Sequence, residues 1–187
     1  MSIRTKVFLI IFVLFAVLGT ADFIVQRFVI YPSFLELEHH EAGENLQRIF
    51  HAIRRESYHL ERFCRDWSTW DDSHNFMATG SEDFVSSNLS EEALDNISLN
   101  LMVFFDTNGT IFWSRARDFV EKRNLSLEFT TKRSVPLDNV IFDLQPTKEG
   151  GRGKNGIFNT EMGPMLFATR EIVHSDGSGP MNGYLLM

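Results

Sequence analysis

Three observations predict an α+β fold in which a transmembrane helix is followed by a long membrane-proximal helix and then by an antiparallel sheet. Val7 to Gly19 carries no charged residue. An apolar repeat of about 3.5 residues follows, from Leu35 to Trp70. Farther on, Asn108-Gly109 separates two runs rich in β-branched and aromatic residues, which is a strong short-range hairpin signal.

The first element is the apolar segment. After Asp22 the apolar character resumes with Phe23, Ile24, Val25, Phe28, Val29 and Ile30. A bilayer needs roughly 20 helical residues, so Val7 to Ile30 is long enough to cross one. A cleaved signal peptide is the competing reading, with Gly19-Thr20-Ala21 as the small-residue cut, but the apolar helix continues past that point. Asp22 is costly in hydrocarbon and is expected toward the outer edge of the bilayer. Arg4 and Lys6 precede the span and hold the N-terminus in the cytoplasm, while Arg27 can snorkel to the outer interface. The expected organisation is a leader and membrane helix over 1–31 and a domain outside the inner membrane over 32–187.

Pro32 is placed where a helix can begin, and a helical pattern is expected from there to Asn75. Steps of four and three give the seam Leu35, His39, Ala42, Leu46, Ile49, Ile53, Glu56, Leu60, Phe63, Trp67 and Trp70, apolar at every position except His39 and Glu56. Its bulky C-terminal end is expected to pack on the domain's own sheet. The aliphatic half nearest the membrane is the expected contact of a homodimer.

Beyond Gly80, Asn88 and Glu91 have capping-box spacing and predict a short helix to about Ile97. Leu101 to Asp106 and Thr110 to Ser114 form the hairpin. Residues 115–136 are irregular, and Leu137 to Leu144 fit either a turn of helix or a strand. Glu149 to Gly156 is expected to be a glycine-rich connection, since it lacks phosphate-loop spacing. Strands are expected at about Gly156 to Asn159, Met165 to Val173 and Gly183 onward, with a turn at Ser175 to Pro180. The last of these reaches Met187 without a cap or turn, which reads as the edge of a longer protein.

Composition narrows the chemistry. A net charge of −7 disfavours nucleic acid, which is usually met by a basic stripe. Cys64 is the single cysteine, so there is no internal disulfide and no cysteine-based metal cluster. No G-x-S-x-G element occurs, and Cys64 has no activating base nearby in sequence. Neither a cofactor nor a metal is implied. Asn88, Asn96, Asn108 and Asn124 match N-x-S/T, a pattern that matters only in a eukaryotic secretory pathway.

The densest chemistry lies in R-D-W-S-T-W-D-D-S-H-N-F, residues 65–76. On one helix, Trp67, Trp70, Asp71 and His74 would share a face, with Asp66 on its flank. Two indoles beside carboxylates can hold an ammonium group by cation–π contact and charge, making Asp66, Trp67, Trp70 and Asp71 the candidate ligand residues. The bland alternative puts the tryptophans in the seam between helix and sheet, with an aspartate capping or bonding loop amides at the helix end, and Arg115, Arg117 or Arg170 as possible partners of Asp66 or Asp71. His74 and Arg170 are secondary candidates. One histidine with carboxylates is a poor zinc set, and adjacent His39 and His40 diverge on a helix.

The elements together suit a PAS-like or Cache-like domain. The segments P-S-F-L-E-L-E (32–38), D-W-S-T-W-D-D-S-H-N-F (66–76), L-N-L-M-V-F-F-D-T-N-G (99–109), G-P-M-L-F-A-T-R-E-I (163–172) and S-D-G-S-G-P-M-N-G-Y-L (175–185) resemble the CHASE family of extracytoplasmic sensor domains, specifically its fourth type. The resemblance covers about residues 32–187. It implies a bacterial or archaeal membrane receptor whose sensor domain lies between two transmembrane helices. The family's cytoplasmic output is a diguanylate cyclase, a cyclic-di-GMP phosphodiesterase or a histidine kinase. This chain departs from the pattern in having no second membrane helix, no G-G-D-E-F, no E-A-L and no kinase box. No enzymatic activity is expected of the segment itself, and a membrane-anchored protein-interaction module is the alternative.

Overall fold

The computed structural model describes residues 2–147, 150–176 and 179–187. The chain divides into two units, Met1–Ile53 and Arg54–Met187.

The first unit is helical. Helix α1 (Ile3–Val25) is long and apolar enough to cross a membrane, and its side chains are exposed. A π-helical segment, Gln26–Ile30, follows, and α2 (Tyr31–Ser68) continues from it. The expected helix start at Pro32 is therefore a widened turn inside a continuous run. Proline has no N–H to offer the carbonyl four residues back, and the Tyr31 N–H reaches Gln26 five residues back instead.

In the second unit, α2 stops at Ser68 rather than running to Asn75. The hydroxyls of Ser68 and Thr69 both donate to the Arg65 carbonyl, at 2.9 and 3.0 Å, competing with the helix ladder. Trp70 is extended (φ −81°, ψ 127°), and α3 (Asp71–Thr79) starts afresh with two aspartates at its positive end. Gly80, in the left-handed region at φ 65°, closes α3. A helix not expected from sequence, α4 (Glu82–Asn88), is capped by the Ser81 hydroxyl. Asn88 thus ends α4 instead of capping the next helix. Ser90 takes that role for α5 (Glu91–Asn96), accepting from the Ala93 N–H at 3.2 Å.

The sheet contains β1 (Leu101–Phe105), β2 (Ile111–Asp118), β3 (Arg123–Asn124), β4 (Gln145–Pro146), β5 (Arg152–Thr160), β6 (Gly163–Glu171) and β7 (Tyr184–Leu186). Their order is β3-β2-β1-β7-β6-β5-β4, and every pairing is antiparallel. Gly109 makes the expected β1–β2 turn at φ 78°, while Asp106 Oδ1 accepts the N–H groups of Asn108 and Thr110 at 2.8 Å each. Strand β5 starts at Arg152, so most of the expected glycine-rich connection is paired backbone; Lys148 and Glu149 lie outside the described residues. The expected turn after β6 begins at Ser175 and Asp176, and its Gly177 and Ser178 likewise lie outside the described residues. A short helix, α6 (Glu128–Thr131), and a 3-10 turn (Val140–Phe142) lie between β3 and β4.

Alternation along the strands feeds two cores. Met102, Phe104, Ala168 and Leu185 face α2 to α5, with Cys64, Phe76, Phe84 and Leu94. Leu101, Val103, Phe105, Phe167 and Leu186 face the other way, with Leu127, Val135 and Ile141. Strand β1 is buried along its whole length because both of its faces are covered. Arg117 of β2 fastens α5 to the sheet through Asp95 (2.7 and 3.0 Å) and Glu91 (2.7 Å), and its guanidinium holds the Asp95 carboxyl below the usual range.

Gly183, at φ 141°, lets β7 pass close to β1: a Cβ there would strike the Phe105 carbonyl and the Met77 methyl. Gly183→Ala is predicted to cost at least about 3 kcal/mol of stability in a urea titration, through strain plus overpacking. An unchanged midpoint would show that this approach is not a constraint.

Candidate functional site

The break after α2 creates the local geometry of the aromatic-acidic stretch. Because Trp70 is extended, Trp67, Trp70, Asp71 and His74 do not line one helical face as the sequence predicts. Trp67 packs against the core shared with Cys64 and Phe76. Trp70 meets Trp67 edge-on with ring centroids 5.7 Å apart and leans on Phe84 at 5.9 Å, yet stays 38% exposed. Phe84 stacks in turn on Phe76 at 4.8 Å.

Asp71 does not meet any of the arginines that the sequence offered it. Its Oδ1 accepts the Ser175 N–H at 2.9 Å and faces His174 Nδ1 at 3.2 Å, and its Oδ2 accepts the Ser175 hydroxyl at 2.9 Å. These bonds, the backbone N–H of Ser175 foremost, hold its carboxyl below the ordinary range. A carboxyl stabilised in this way contributes fully above about pH 3.9, and the contribution is lost as pH falls through its lower folded value. The same region is tied twice more. The Val173 N–H donates to the Ser68 carbonyl at 3.0 Å, and Asn182 Nδ2 donates to the His74 carbonyl at 3.0 Å. The His74 and His174 rings lie 3.7 Å apart, centroid to centroid.

The other candidates lie apart from this group. Asp66 is exposed and pairs with Arg65 at 3.5 Å. Arg170 is buried on β6, where it bonds Thr147 Oγ1 (3.1 Å) and the Gly150 carbonyl (2.6 Å) and faces Glu61 of α2 at 3.7 Å. Arg115 donates to the Leu89 carbonyl and covers the Trp113 ring. Among the described residues, no group of three or more His, Cys, Asp or Glu side chains has metal-holding geometry.

Among the described residues of the Arg54–Met187 unit, three openings have ligand dimensions. One of about 370 Å³ adjoins Phe84 and carries Asp72, Asn75, Thr79 and Asp83. Another, of about 450 Å³, lies between Leu60 of α2 and the sheet, near Asn100, Met165 and Met187. The third, of about 490 Å³, is on the opposite face, walled by Phe129, Val140, Ile141 and Phe158 and edged by Lys132, Asn139, Thr160 and Glu161. At that edge the Glu161 carboxylate is held below its usual range by its own N–H and that of Glu128, which bonds it directly. Sequence reasoning passed over these residues because Phe129, Ile141 and Phe158 come from separate elements with no common period. Ser175 and His174 were hidden in a stretch that reads only as a turn.

The second unit is thus an α+β domain, an antiparallel sheet carrying helices on one face and short segments over a cavity on the other, and an apolar helix precedes it in the chain. The CHASE4 domain model matches residues 52–187, and the chain belongs to that family. It is 23% identical over 128 residues to the methanogenesis regulatory histidine kinase FilI of Methanothrix harundinacea (strain 6Ac), covering 68% of this chain and 14% of the kinase. Its fold resembles the extracellular domain of vpHK1S-Z8, a protein assigned as a histidine kinase, with a TM-score of 0.59 and 18% identity over 81% of this chain and 57% of that one. A domain from a sensory box/GGDEF family protein of Vibrio parahaemolyticus gives a TM-score of 0.55 and 16% identity, over 78% and 57%. The chain therefore spans about one seventh of the kinase and somewhat over half of each solved structure. The apolar helix and the family together support a membrane-anchored receptor.

Asp71→Ala removes the acceptor of two Ser175 bonds. Deuterium uptake in the segment 172–176 is predicted to rise about tenfold in rate, with β1 unchanged. Equal uptake in both proteins would show that the carboxylate does not hold this connection.

Proposed function

We propose that the chain is the ligand-sensing input domain of a bacterial or archaeal transmembrane receptor, with its N-terminus in the cytoplasm and residues from about 32 outside the inner membrane. Its output, a histidine kinase, a diguanylate cyclase or a cyclic-di-GMP phosphodiesterase, lies in the part of the protein beyond this chain. The observation that carries this reading is that the helix whose final turns, Glu61 to Ser68, wall the core is the helix that begins at Tyr31, directly after the apolar segment. A change in the sheet reaches those turns without an intervening loop. Receptor family membership and the regulatory kinase among the relatives support the same reading.

The best-suited ligand cavity is the opening of about 490 Å³, which falls in the usual range for small-molecule sites. Its roof is made of α6, four residues long, and a three-residue 3-10 turn. Such a roof moves at smaller cost than a packed helix layer. Aromatic walls with Lys132, Glu128 and Glu161 at the edge suit an organic molecule with an apolar body and charged or polar ends. A second reading keeps the ligand at the tryptophan cluster, because Trp70 is partly exposed and the neighbouring opening carries Asp72 and Asp83, as an ammonium ligand would require. Homodimerisation through α2 fits either reading, since Leu46, Ile49, Phe50 and Ile53 lie exposed along it. An interaction module without a small ligand is the remaining alternative.

A thermal-shift screen of the full chain in detergent, against amino acids, amines, carboxylates and sugars, separates these readings. A ligand at 100 times its Kd stabilises the native state by about 2.7 kcal/mol, and the melting temperature should rise by several degrees. Phe158→Trp should abolish the response if the aromatic cavity holds the ligand, whereas Trp70→Ala should abolish it if the cluster does. Silence across the whole screen would favour the interaction module.

A further inference from the structure

The contact between α3 and the connection from β6 to β7 contains two imidazoles that the sensor reading does not use. His74 and His174 are 100 residues apart in sequence, yet their rings stack at 3.7 Å with an interplanar angle of 32°. His174 Nδ1 faces Asp71 Oδ1 at 3.2 Å. His74 Nε2 is buried and has no hydrogen-bond partner.

We propose that this stacked pair, with Asp71, is a pH-operated clasp: it is closed when the two rings share one proton or none, and it opens when both are protonated. The first proton has a place to go, since His174 meets a carboxylate that stays ionised through the range in which imidazoles titrate. The second proton does not. With hydrogen on Nδ1, Nε2 of His74 is a bare acceptor, and protonating it creates an N–H that meets no acceptor. The new charge would lie 3.7 Å from the first. It would also sit in the first turn of α3, at the positive end of a nine-residue helix, where a cation is disfavoured.

The surrounding charges do not remove this asymmetry. On α3 these are Asp71, committed to Ser175 and His174, and Asp72, which is exposed. The connection adds Asp176, also exposed. The last turns of α2 offer Arg65 and Asp66, which pair with each other. The segment before β7 offers the neutral amide of Asn182, bonded to the His74 carbonyl. Once open, both rings meet water, and a second proton is no longer opposed through the range in which imidazoles titrate. The open form then binds one proton more than the closed form, so the clasp weakens as pH falls below that range. Opening releases the bonds from Ser175 to Asp71 and from Val173 to Ser68, which join the end of α2 to the sheet. The domain would thereby respond to external acidity whether or not a ligand is bound.

Hydrogen exchange of the full chain in nanodiscs, without added ligand and corrected for the intrinsic pH dependence of exchange, tests the clasp. At pH 5.5, protection of the segment 172–176 should be about threefold lower than at pH 6.5, where the pair already holds its first proton, with β1 unchanged. His74→Phe keeps a stacked ring and removes its proton, so protection should be equal at the two pH values. His174→Gln should likewise abolish the pH difference, which gives a second test should the first variant fold poorly. Equal protection of the wild type at both pH values would overturn the proposal, as would a pH difference that persists in both variants. Protection that rises with micromolar zinc and falls with a chelator would also overturn it, making the pair a metal site instead.

Discussion

Cys64 and Ser68 set how closely α2 can lie on the sheet. Both are small, one helical turn apart and without exposed surface. The Cys64 thiol is 3.5 Å from the carbonyls of both Ala168 and Leu185, and the Ser68 carbonyl receives the Val173 N–H. The central strands β6 and β7 are therefore held against the helix backbone with little side-chain bulk between. Burial pushes the thiol pKa up, so Cys64 is a neutral packing group and not a nucleophile. Arg170 lies on the same strand face, where Glu61, Thr147 and the Gly150 carbonyl satisfy a charge that could not be buried alone. The other contacts of this face, from the Phe76–Phe84 stack to the Asp71 bonds, presuppose that approach.

Elements governed by local rules were legible in the sequence. Asn108-Gly109 dictated the β1–β2 turn, and the uncharged run before residue 20 dictated the apolar helix. What could not be read depended on competition or distance. The α2 stop at Ser68 follows from two hydroxyls competing for one carbonyl, which an apolar repeat does not register. Asn88 and Glu91 had the right spacing for a cap, but Ser90 was nearer the real start and prevailed. The tryptophan cluster was visible as composition. Its partners were not, because Ser175, His174 and Asn182 lie more than 100 residues downstream. The aromatic cavity was less visible still, since its walls meet only after the sheet has formed.

Two regions of the domain thus have different physical characters. On the helix side, two small residues let α2 touch the sheet backbone and the Val173–Ser68 bond ties them, as expected of a surface that must transmit displacement rather than absorb it. On the opposite side, short segments cover half-buried phenylalanines, and a molecule could be admitted at modest cost. A ligand there can bias the receptor only by binding one arrangement of the sheet better than another, and close contact at Cys64 and Ser68 is what would carry that difference into α2.

Enlarging the narrowest point between α2 and the sheet tests how rigidly the two are held. Thermal melting of the full chain should show Cys64→Ala close to wild type, since a small residue remains. Cys64→Leu should be destabilised by about 1–3 kcal/mol through overpacking against the Ala168 and Leu185 backbone, and should lose protection from exchange in residues 60–68. A leucine variant that melts and exchanges like wild type would contradict the account, because α2 would then not be held at close range to the sheet.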